Sequence, residues 1–335
     1  MTLKNIQLGS TGPHTSSFGL GAMGMSGMYG PADRAESIKT IHAALGAGMS
    51  LIDTGDFYGM GHNEMLIAEA LKGVPRDSYQ LSVKFGALRD PAGGWGGYDL
   101  RPAAIRNFLA YTLQRLNVDY IDIYRPARLP AGTDVEEVVG TLADLVKAGY
   151  VRHIGLSEVG ADTIRRAARV HAICDLQIEY SLVSRGIEDE ILPTLRELGI
   201  GVTAYGVLSR GLISGHWKAQ PNTPGDFRAY SPRFQGANMD ANLALVEALR
   251  KVAEGRGISV AQAAIAWVAA QGADIVPLIG ARKRERLSEA LGAAEVVLSK
   301  SDLAAIESAV PKDAAAGDRY PAAAMADLDS ERRAG

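Results

Sequence analysis

Eight short apolar runs, each followed by a longer amphipathic stretch, fill residues 16–292, and this alternation narrows the folds open to the chain. The runs lie at 17–21, 50–53, 81–84, 120–124, 153–156, 175–178, 202–205 and 276–279. They are apolar throughout rather than on alternate residues, as expected of parallel strands buried on both faces. Between them, apolar residues recur at the helical period near 34–48, 62–73, 101–116, 134–148, 161–172, 187–198, 240–256 and 283–292. In the third stretch Ile105, Phe108, Leu109, Leu113 and Leu116 step by one, three and four. Val138, Val139, Leu142, Leu145 and Val146 do the same in the fourth. Asp134 and Asp162 can cap starting helices, and Gly149 can end one. Eight strand–helix units in roughly 280 residues predict an α/β fold of the closed (β/α)8 TIM-barrel type. An open doubly wound sheet is the alternative, and only strand order separates the two.

Residues 3–18 predict an N-terminal hairpin around Gly9-Ser10-Thr11-Gly12 that plugs the barrel bottom. Extra helices are expected toward the C-terminus, one of them at 260–270, before the eighth strand. With no Pro/Ser-rich linker, residues 1–335 read as a single domain. After residue 311 large apolar residues become scarce, and residues 322–335 are expected to form a poorly ordered tail.

The 335 residues are 47% hydrophobic and 22% charged, enough for one sizeable core. A net charge of −3, with no basic stripe interleaved with aromatics, argues against nucleic-acid binding. Met1-Thr2-Leu3-Lys4-Asn5 lacks the apolar core of a signal peptide, and no apolar run is long enough to span a bilayer. Cys174 is the only cysteine, so no disulfide can form within the chain and a reducing, cytoplasmic setting is expected. The six histidines (His14, His42, His62, His153, His171 and His216) show no metal-ligand spacing, so no metal site is expected. His62 alone falls near a candidate site, at its rim.

Active sites of such barrels lie at the C-terminal ends of the strands. Asp53, Lys84, Ser157, Gln177 and Tyr205 all lie at or beside the ends of predicted strands. Asp53 leads into Thr54-Gly55-Asp56-Phe57-Tyr58, which places an acid, a phenol and an amine on neighbouring strand ends. Such a set can build a proton donor for carbonyl chemistry: Lys84 would favour the phenolate of Tyr58 and lower its pKa, while Asp53 holds the ammonium. On spacing alone, a loop-tip Tyr and a strand-end Lys without chemistry fit equally well. Ser157 and Gln177 both donate and accept, as a carboxamide requires, and Tyr205 can stack on a flat ring. Together they describe a berth for nicotinamide.

Gly19-Leu20-Gly21-Ala22-Met23-Gly24 matches a dinucleotide fingerprint, but the residues that follow are too rich in Gly and Pro to open a helix. The segment reads instead as a loop carrying Met23, Met28 and Tyr29 over the barrel mouth as an apolar substrate wall. The anion signal lies later. After the eighth strand Gly280 turns the chain, and Arg282-Lys283-Arg284-Glu285-Arg286 follows, four basic residues in five. A helix N-terminus favours acids, so this one is expected to receive an anion. Arg282 and Arg286, at i and i+4, are expected to face one phosphate, with Glu289 a turn further on for an adenine amine and Lys218 as a weaker phosphate contact. A solvated basic helix is the alternative.

These segments, together with Gly59-Met60-Gly61-His62-Asn63-Glu64, Gly155-Leu156-Ser157-Glu158 and Gln177-Ile178-Glu179-Tyr180-Ser181, resemble the aldo-keto reductase superfamily over residues 5–310. The likeness is greatest to its bacterial and plant branch, with an Asp-Thr-Ala-Asp-x-Tyr-Gly motif. It implies a barrel that binds NADPH in an extended form, NADH being the lesser alternative, and reduces small-molecule aldehydes or ketones. Tyr58 would be the general acid, tuned by Asp53 and Lys84. Ser157, Gln177 and Tyr205 would hold the nicotinamide, and Arg282 and Arg286 the adenosine 2′-phosphate. Gly21, Met23, Gly206, Leu208, Arg210, Lys218, Gly280 and Glu289 complete the implied cofactor contacts. Strand four departs from the family. Where the pattern reads Asp-Leu-Tyr-Tyr-Gln-His-Arg, this chain reads Asp122-Ile123-Tyr124-Arg125-Pro126-Ala127-Arg128, with Ala127 in place of the catalytic His. Room for a bulky, alicyclic ketone and a water in place of the imidazole are the expected consequences. A further one is Arg125 reaching the substrate pocket, provided a carboxylate joins it. The rival reading is a nicotinamide-nucleotide sensor on the same barrel.

Overall fold

The computed structural model describes residues 3–217 and 226–332. Eight strands form the centre: β1 (Gly19–Gly21), β2 (Leu51–Gly55), β3 (Gln80–Phe85), β4 (Ile121–Pro126), β5 (Val151–Ser157), β6 (Ile173–Glu179), β7 (Gly201–Tyr205) and β8 (Ile275–Gly280). Neighbours in sequence pair in parallel, and β8 pairs with β1 through Gly280 and Gly21, so the sheet closes on itself. Closure excludes the open sheet. Several strands run past their apolar stretch, because buried polar residues such as Thr54, Ser157 and Glu179 continue them into the site.

Helices α1 (Arg34–Gly46), α2 (His62–Ala70), α3 (Pro102–Leu116), α4 (Val135–Lys147), α5 (Ala161–Val170) and α6 (Ile191–Leu198) follow the first six strands. α7 (Gly236–Gly255) and α8 (Val260–Ala270) lie between β7 and β8, and α9 (Arg284–Leu291), α10 (Lys300–Ala309) and α11 (Ala322–Ala326) come after β8. α4 shows why these segments are helical. The Asp134 side chain accepts from Glu136 N at 3.0 Å, and Val135, Val138, Val139, Leu142 and Leu145 bury one face. Each such side chain contributes about 1.5–3 kcal/mol on burial. Among the described residues no helix is long and apolar enough to cross a membrane.

The hairpin Asn5–Gln7/His14–Ser16 closes the barrel bottom. Leu8 packs inside with Leu51, Ile123, Cys174, Val276 and Leu278. Gly9, at φ 64°, lies so close to the strand starts that a Cβ there would stand 2.4 Å from Cys174 O. A second hairpin, Ala87–Arg89/Trp95–Tyr98, rises after β3 and was not expected from the apolar pattern.

The segment expected to be poorly ordered from 322 departs from that expectation as far as Arg332. It forms α11 and a turn at Asp329–Glu331 across the C-terminal end of the barrel. Polar anchors replace the missing apolar mass: Asp329 accepts from Gly160 N at 2.9 Å, and Ser330 donates to Glu158 through its backbone N (3.1 Å) and its hydroxyl (2.8 Å). Leu328 is also buried.

Candidate active site

Asp53, on β2, is the hub of the barrel mouth. Its Oδ1 accepts from Lys84 Nζ at 2.5 Å, and its Oδ2 from Ser82 Oγ at 2.8 Å and Gln177 Nε2 at 2.6 Å. The parallel register sets Lys84 beside Gly55 on one side and Arg125 on the other. Asp53 and Lys84 are both buried. Burial pulls the Lys84 pKa down, and the Asp53 carboxylate only partly restores it.

Tyr58 lies in the turn after β2, with its backbone N donating to Gly55 O at 3.0 Å and its ring set edge-on to Phe57. Lys84 Nζ lies 5.2 Å from the ring centroid. The expected lowering of the phenol pKa by Lys84 is corrected here. Burial first, and the Asp53 charge second, raise Tyr58 well above its ordinary value. The ammonium is engaged with Asp53, so its field at the phenol is largely cancelled. Tyr58 therefore stays protonated at neutral pH, which suits a proton donor.

In the same turn, Asp56 is buried with neither carboxylate oxygen in a well-aligned hydrogen bond, the Gly86 and Phe57 backbone lying only loosely against it. Burial, and then the charge of Glu64, push its pKa up to about 8. A carboxyl whose folded pKa exceeds its unfolded value stabilises the fold at low pH and loses that contribution as pH rises toward the folded value. Melting temperature should therefore fall from pH 5 to pH 8. Asp56→Asn should flatten that profile, and an unchanged slope in the variant would contradict the assignment.

Arg125 does not line a substrate pocket, and the expectation is corrected. It is fully buried inside the barrel, with Nη2 3.0 Å from Asp175 Oδ2. The pair crosses the intervening β5 at Gly155, where a Cβ would lie 2.6 Å from Asp175 Oδ1 and 3.0 Å from Arg125 Nε. Asp175 also accepts from Thr203 Oγ1. The carboxylate needed to admit a second cation near Lys84 is thus Asp175, and the salt bridge fills the barrel beneath the mouth. Ala127, two residues further on the same face, is buried just past β4, with its N donating to Phe85 O at 2.8 Å.

Ser157 ends β5 and pairs in register with Gln177, two residues before the end of β6, and both are buried. Tyr205 is half-buried at the end of β7 and donates its hydroxyl to Glu158 at 2.6 Å. Gly206 and Leu208 continue the loop, with Gly206 packed against Glu179. Arg210 is tied down: it pairs with Glu179 at 3.3 Å, donates to Arg319 O and lies over the Tyr320 ring. On the far side of the mouth, Gly21 and Gly280 pair at the barrel seam, and half-buried Met23 starts a short 3-10 turn. Half-buried Met28 and Tyr29 are fastened to the segment at 226–230: Met28 O accepts from Phe227 N, and Tyr29 bridges to Asp226. Burial raises the Tyr29 pKa to about 12.

The basic segment after β8 differs from its reading. α9 starts at Arg284, so Arg282 precedes the helix and the i, i+4 geometry does not apply. Arg282 donates to the carbonyls of Tyr29, Gly30 and Pro31, whereas Arg286 meets His216 and Glu289. The anion at this helix start is Glu36 of α1, which accepts from Arg284 N at 3.1 Å and pairs with its guanidinium. Glu289 also takes His216 at 2.8 Å. A cavity of ≈ 260 Å³ opens beside them, lined by Ser214, Gly215, His216, Ser259 and Glu289 among others. Lys218 lies outside the described residues. Among the described residues no group of His, Cys, Asp and Glu is placed to hold a metal.

Sequence reasoning missed three parts of the mouth. Trp95, on the second hairpin, stands edge-on to Phe57 and to Tyr98, extending an aromatic wall from Tyr58. Arg319 reaches back to Glu158 (2.9 Å) and Glu179 (3.4 Å), and Tyr320 meets the Tyr205 hydroxyl at 2.9 Å. Burial pushes the Glu158 carboxyl up, but the Arg319 charge and hydrogen bonds outweigh it and hold the group well below the usual carboxylate range. Arg128 is the third. It follows Ala127 directly, and its place beside the position where the resemblance led a histidine to be expected was the one available signal.

The model of the Aldo/keto reductase family matches residues 17–311. A probable aldo-keto reductase 1 from Glycine max is 39% identical over 323 residues, covering 95% of this chain and 92% of its own length. Among solved structures, glycerol dehydrogenase AKR11B4 from Gluconobacter oxydans aligns with a TM-score of 0.81 and 30% identity, over 92% of this chain and 94% of that one. Aldo-keto reductase AKR11C1 from Bacillus halodurans, in its holo form, aligns with a TM-score of 0.76 and 25% identity, over 92% and 96%. With an eight-stranded closed barrel and a buried acid–amine pair at its mouth, this chain belongs to the aldo/keto reductase family, oxidoreductases that work with a nicotinamide cofactor.

Proposed function

We propose that the protein reduces an aldehyde or ketone to an alcohol with NADPH, Tyr58 giving the proton. The observation that carries this reading is the protonated, buried phenol of Tyr58 beside the Lys84–Asp53 pair. The residues present fit the cofactor. Ser157 and Gln177 offer donors and acceptors suited to a carboxamide, and the cavity beside Glu289 sets the hydrogen-bonding groups of Ser214, His216 and Ser259 against apolar Ile258 and Val260, a mixed lining suited to an aminopurine. Arg286, which meets His216 and Glu289 at that end, and Arg282, just before α9, would favour a 2′-phosphate and hence NADPH over NADH.

When bound, the nicotinamide supplies the hydride that adds to the carbonyl carbon. Tyr58 passes its hydroxyl proton to the carbonyl oxygen, which becomes the alcohol. The phenolate left behind, beside the Lys84–Asp53 pair and within the field of Arg128, is restored by a solvent proton. Asp53 keeps Lys84 charged and fixed against the desolvation that would otherwise neutralise it. The short side chain at Ala127 and the wall of Phe57, Trp95 and Tyr98 favour a bulky alicyclic ketone.

The test is a panel of short aldehydes and alicyclic ketones, each assayed for loss of NADPH or NADH absorbance. Turnover should be highest with alicyclic ketones and NADPH. Arg282→Ala and Arg286→Ala should raise the KM for NADPH while leaving that for NADH nearly unchanged. NADPH quenching of tryptophan fluorescence with no consumption across the panel would overturn the proposal in favour of a nucleotide sensor.

A further inference from the structure

An alanine at 127 leaves the β4 side of the mouth without the side-chain donor that would help bind the reacting oxygen, and Tyr58 cannot supply both hydrogen bonds. We propose that Arg128 provides the second one, donating from its guanidinium to the substrate carbonyl oxygen while Tyr58 donates the proton. The proposal rests on the reductase reading above.

Four observations lead to Arg128. First, its side chain folds back over the residue before it. Nη1 donates to Ala127 O at 2.7 Å, so the half-buried guanidinium is held beside the backbone of the residue with the short side chain. Second, it faces into the mouth: Nη1 is 3.4 Å from Ser157 Oγ and Nη2 is 3.4 Å from Tyr320 Oη. Both contacts are long and weak, so an approaching acceptor can displace them at little cost. Third, Arg128 has no carboxylate within ion-pair distance among the described residues. Its neighbours Arg210, Arg233 and Arg319 are all committed to Glu158 or Glu179. Lys84, the other cation of the mouth, is committed to Asp53. Fourth, the Arg128 charge opposes the effects of burial and Asp53 at Tyr58, so its field is felt at the phenol.

The chemistry is balanced without any further reactant. Hydride adds to carbon, the carbonyl π pair moves to oxygen, and the Tyr58 proton neutralises it. Arg128 transfers nothing. A guanidinium remains charged at any working pH and carries several donors, so it can hold the developing alkoxide without itself being consumed.

The experiment compares Arg128→Met, Arg128→Lys and Arg128→Ala with the parent enzyme, with NADPH affinity read by tryptophan fluorescence and folding by circular dichroism. Arg128→Met should lower kcat about 10²–10³-fold, as removal of one oxyanion donor does, with NADPH affinity retained. Ala127→His added to Arg128→Met should restore kcat by at least about tenfold, and guanidinium ion added to Arg128→Ala should restore part of it. Neither rescue would follow if Arg128 only supported the fold. A kcat within about twofold of the parent in all three variants would overturn the role. So would a defect confined to KM and seen only with carboxylate-bearing substrates, which would make Arg128 an anchor for a substrate anion. Tyr58→Phe separates the two levels of inference. If it is inactive while Arg128→Met is active, only the Arg128 role falls; if it is active, the reductase reading falls as well.

Discussion

Tyr58→Phe should lower kcat about 10²–10⁴-fold, the usual contribution of a positioned general acid, while leaving NADPH affinity intact. The separation is expected because Asp53 is held by Lys84, Ser82 and Gln177, and none of those bonds uses the phenol. Removing the hydroxyl therefore subtracts the proton donor without disturbing the groups around it. The pH profile of the parent enzyme tests the same residue. The protonated phenol is the active form and burial raises its pKa, so kcat should stay level through neutral pH and fall only in the alkaline range. Steady-state kinetics with fluorescence titration of NADPH decide the matter. Turnover by Tyr58→Phe close to that of the parent would remove Tyr58 from the mechanism.

The largest stability effect should come from Asp175→Ala, at about 3–5 kcal/mol, because it strands the fully buried Arg125 charge. The native contact, at 3.0 Å, is an ion pair rather than an aligned hydrogen bond, and none of the Arg125 nitrogens has an aligned acceptor. The pair thus offsets a desolvation cost rather than adding a surplus. The double variant Arg125→Met/Asp175→Leu should recover most of the loss and can equal or exceed the parent in stability. Urea denaturation of the parent, Asp175→Ala and the double variant measures all three. If Asp175→Ala lost less than about 1 kcal/mol, the interior charge would have to be reached by water.

The barrel was legible because its strands are apolar on both faces and its helices keep their period. Runs such as 81–84 and 202–205 fall inside the strands they predicted, β3 and β7. Asp53 and Lys84 were legible for a simpler reason: charged residues at the ends of buried strands have few places to go but toward each other. What escaped was decided by partners remote in sequence. Arg125 was expected in the substrate pocket until Asp175, on another strand, was seen to hold it inside the barrel. Arg282 and Arg286 looked like one clamp until the helix start at Arg284 broke their spacing. The residues beyond 311 looked unanchored by apolar count, yet Arg319 and Ser330 fasten them through charge and hydrogen bonding. The hairpin bearing Trp95 is short and rich in glycine, so no periodicity announced it.

The hold of Arg319 on Glu158 spans 161 positions of chain, and its contact with Glu179 spans 140. Loop closure has to be met before such contacts can reward it, as it has for the β8–β1 seam that closes the barrel. A chain cut after residue 311 would lose Arg319 and leave Glu158 without its guanidinium partner at the rim.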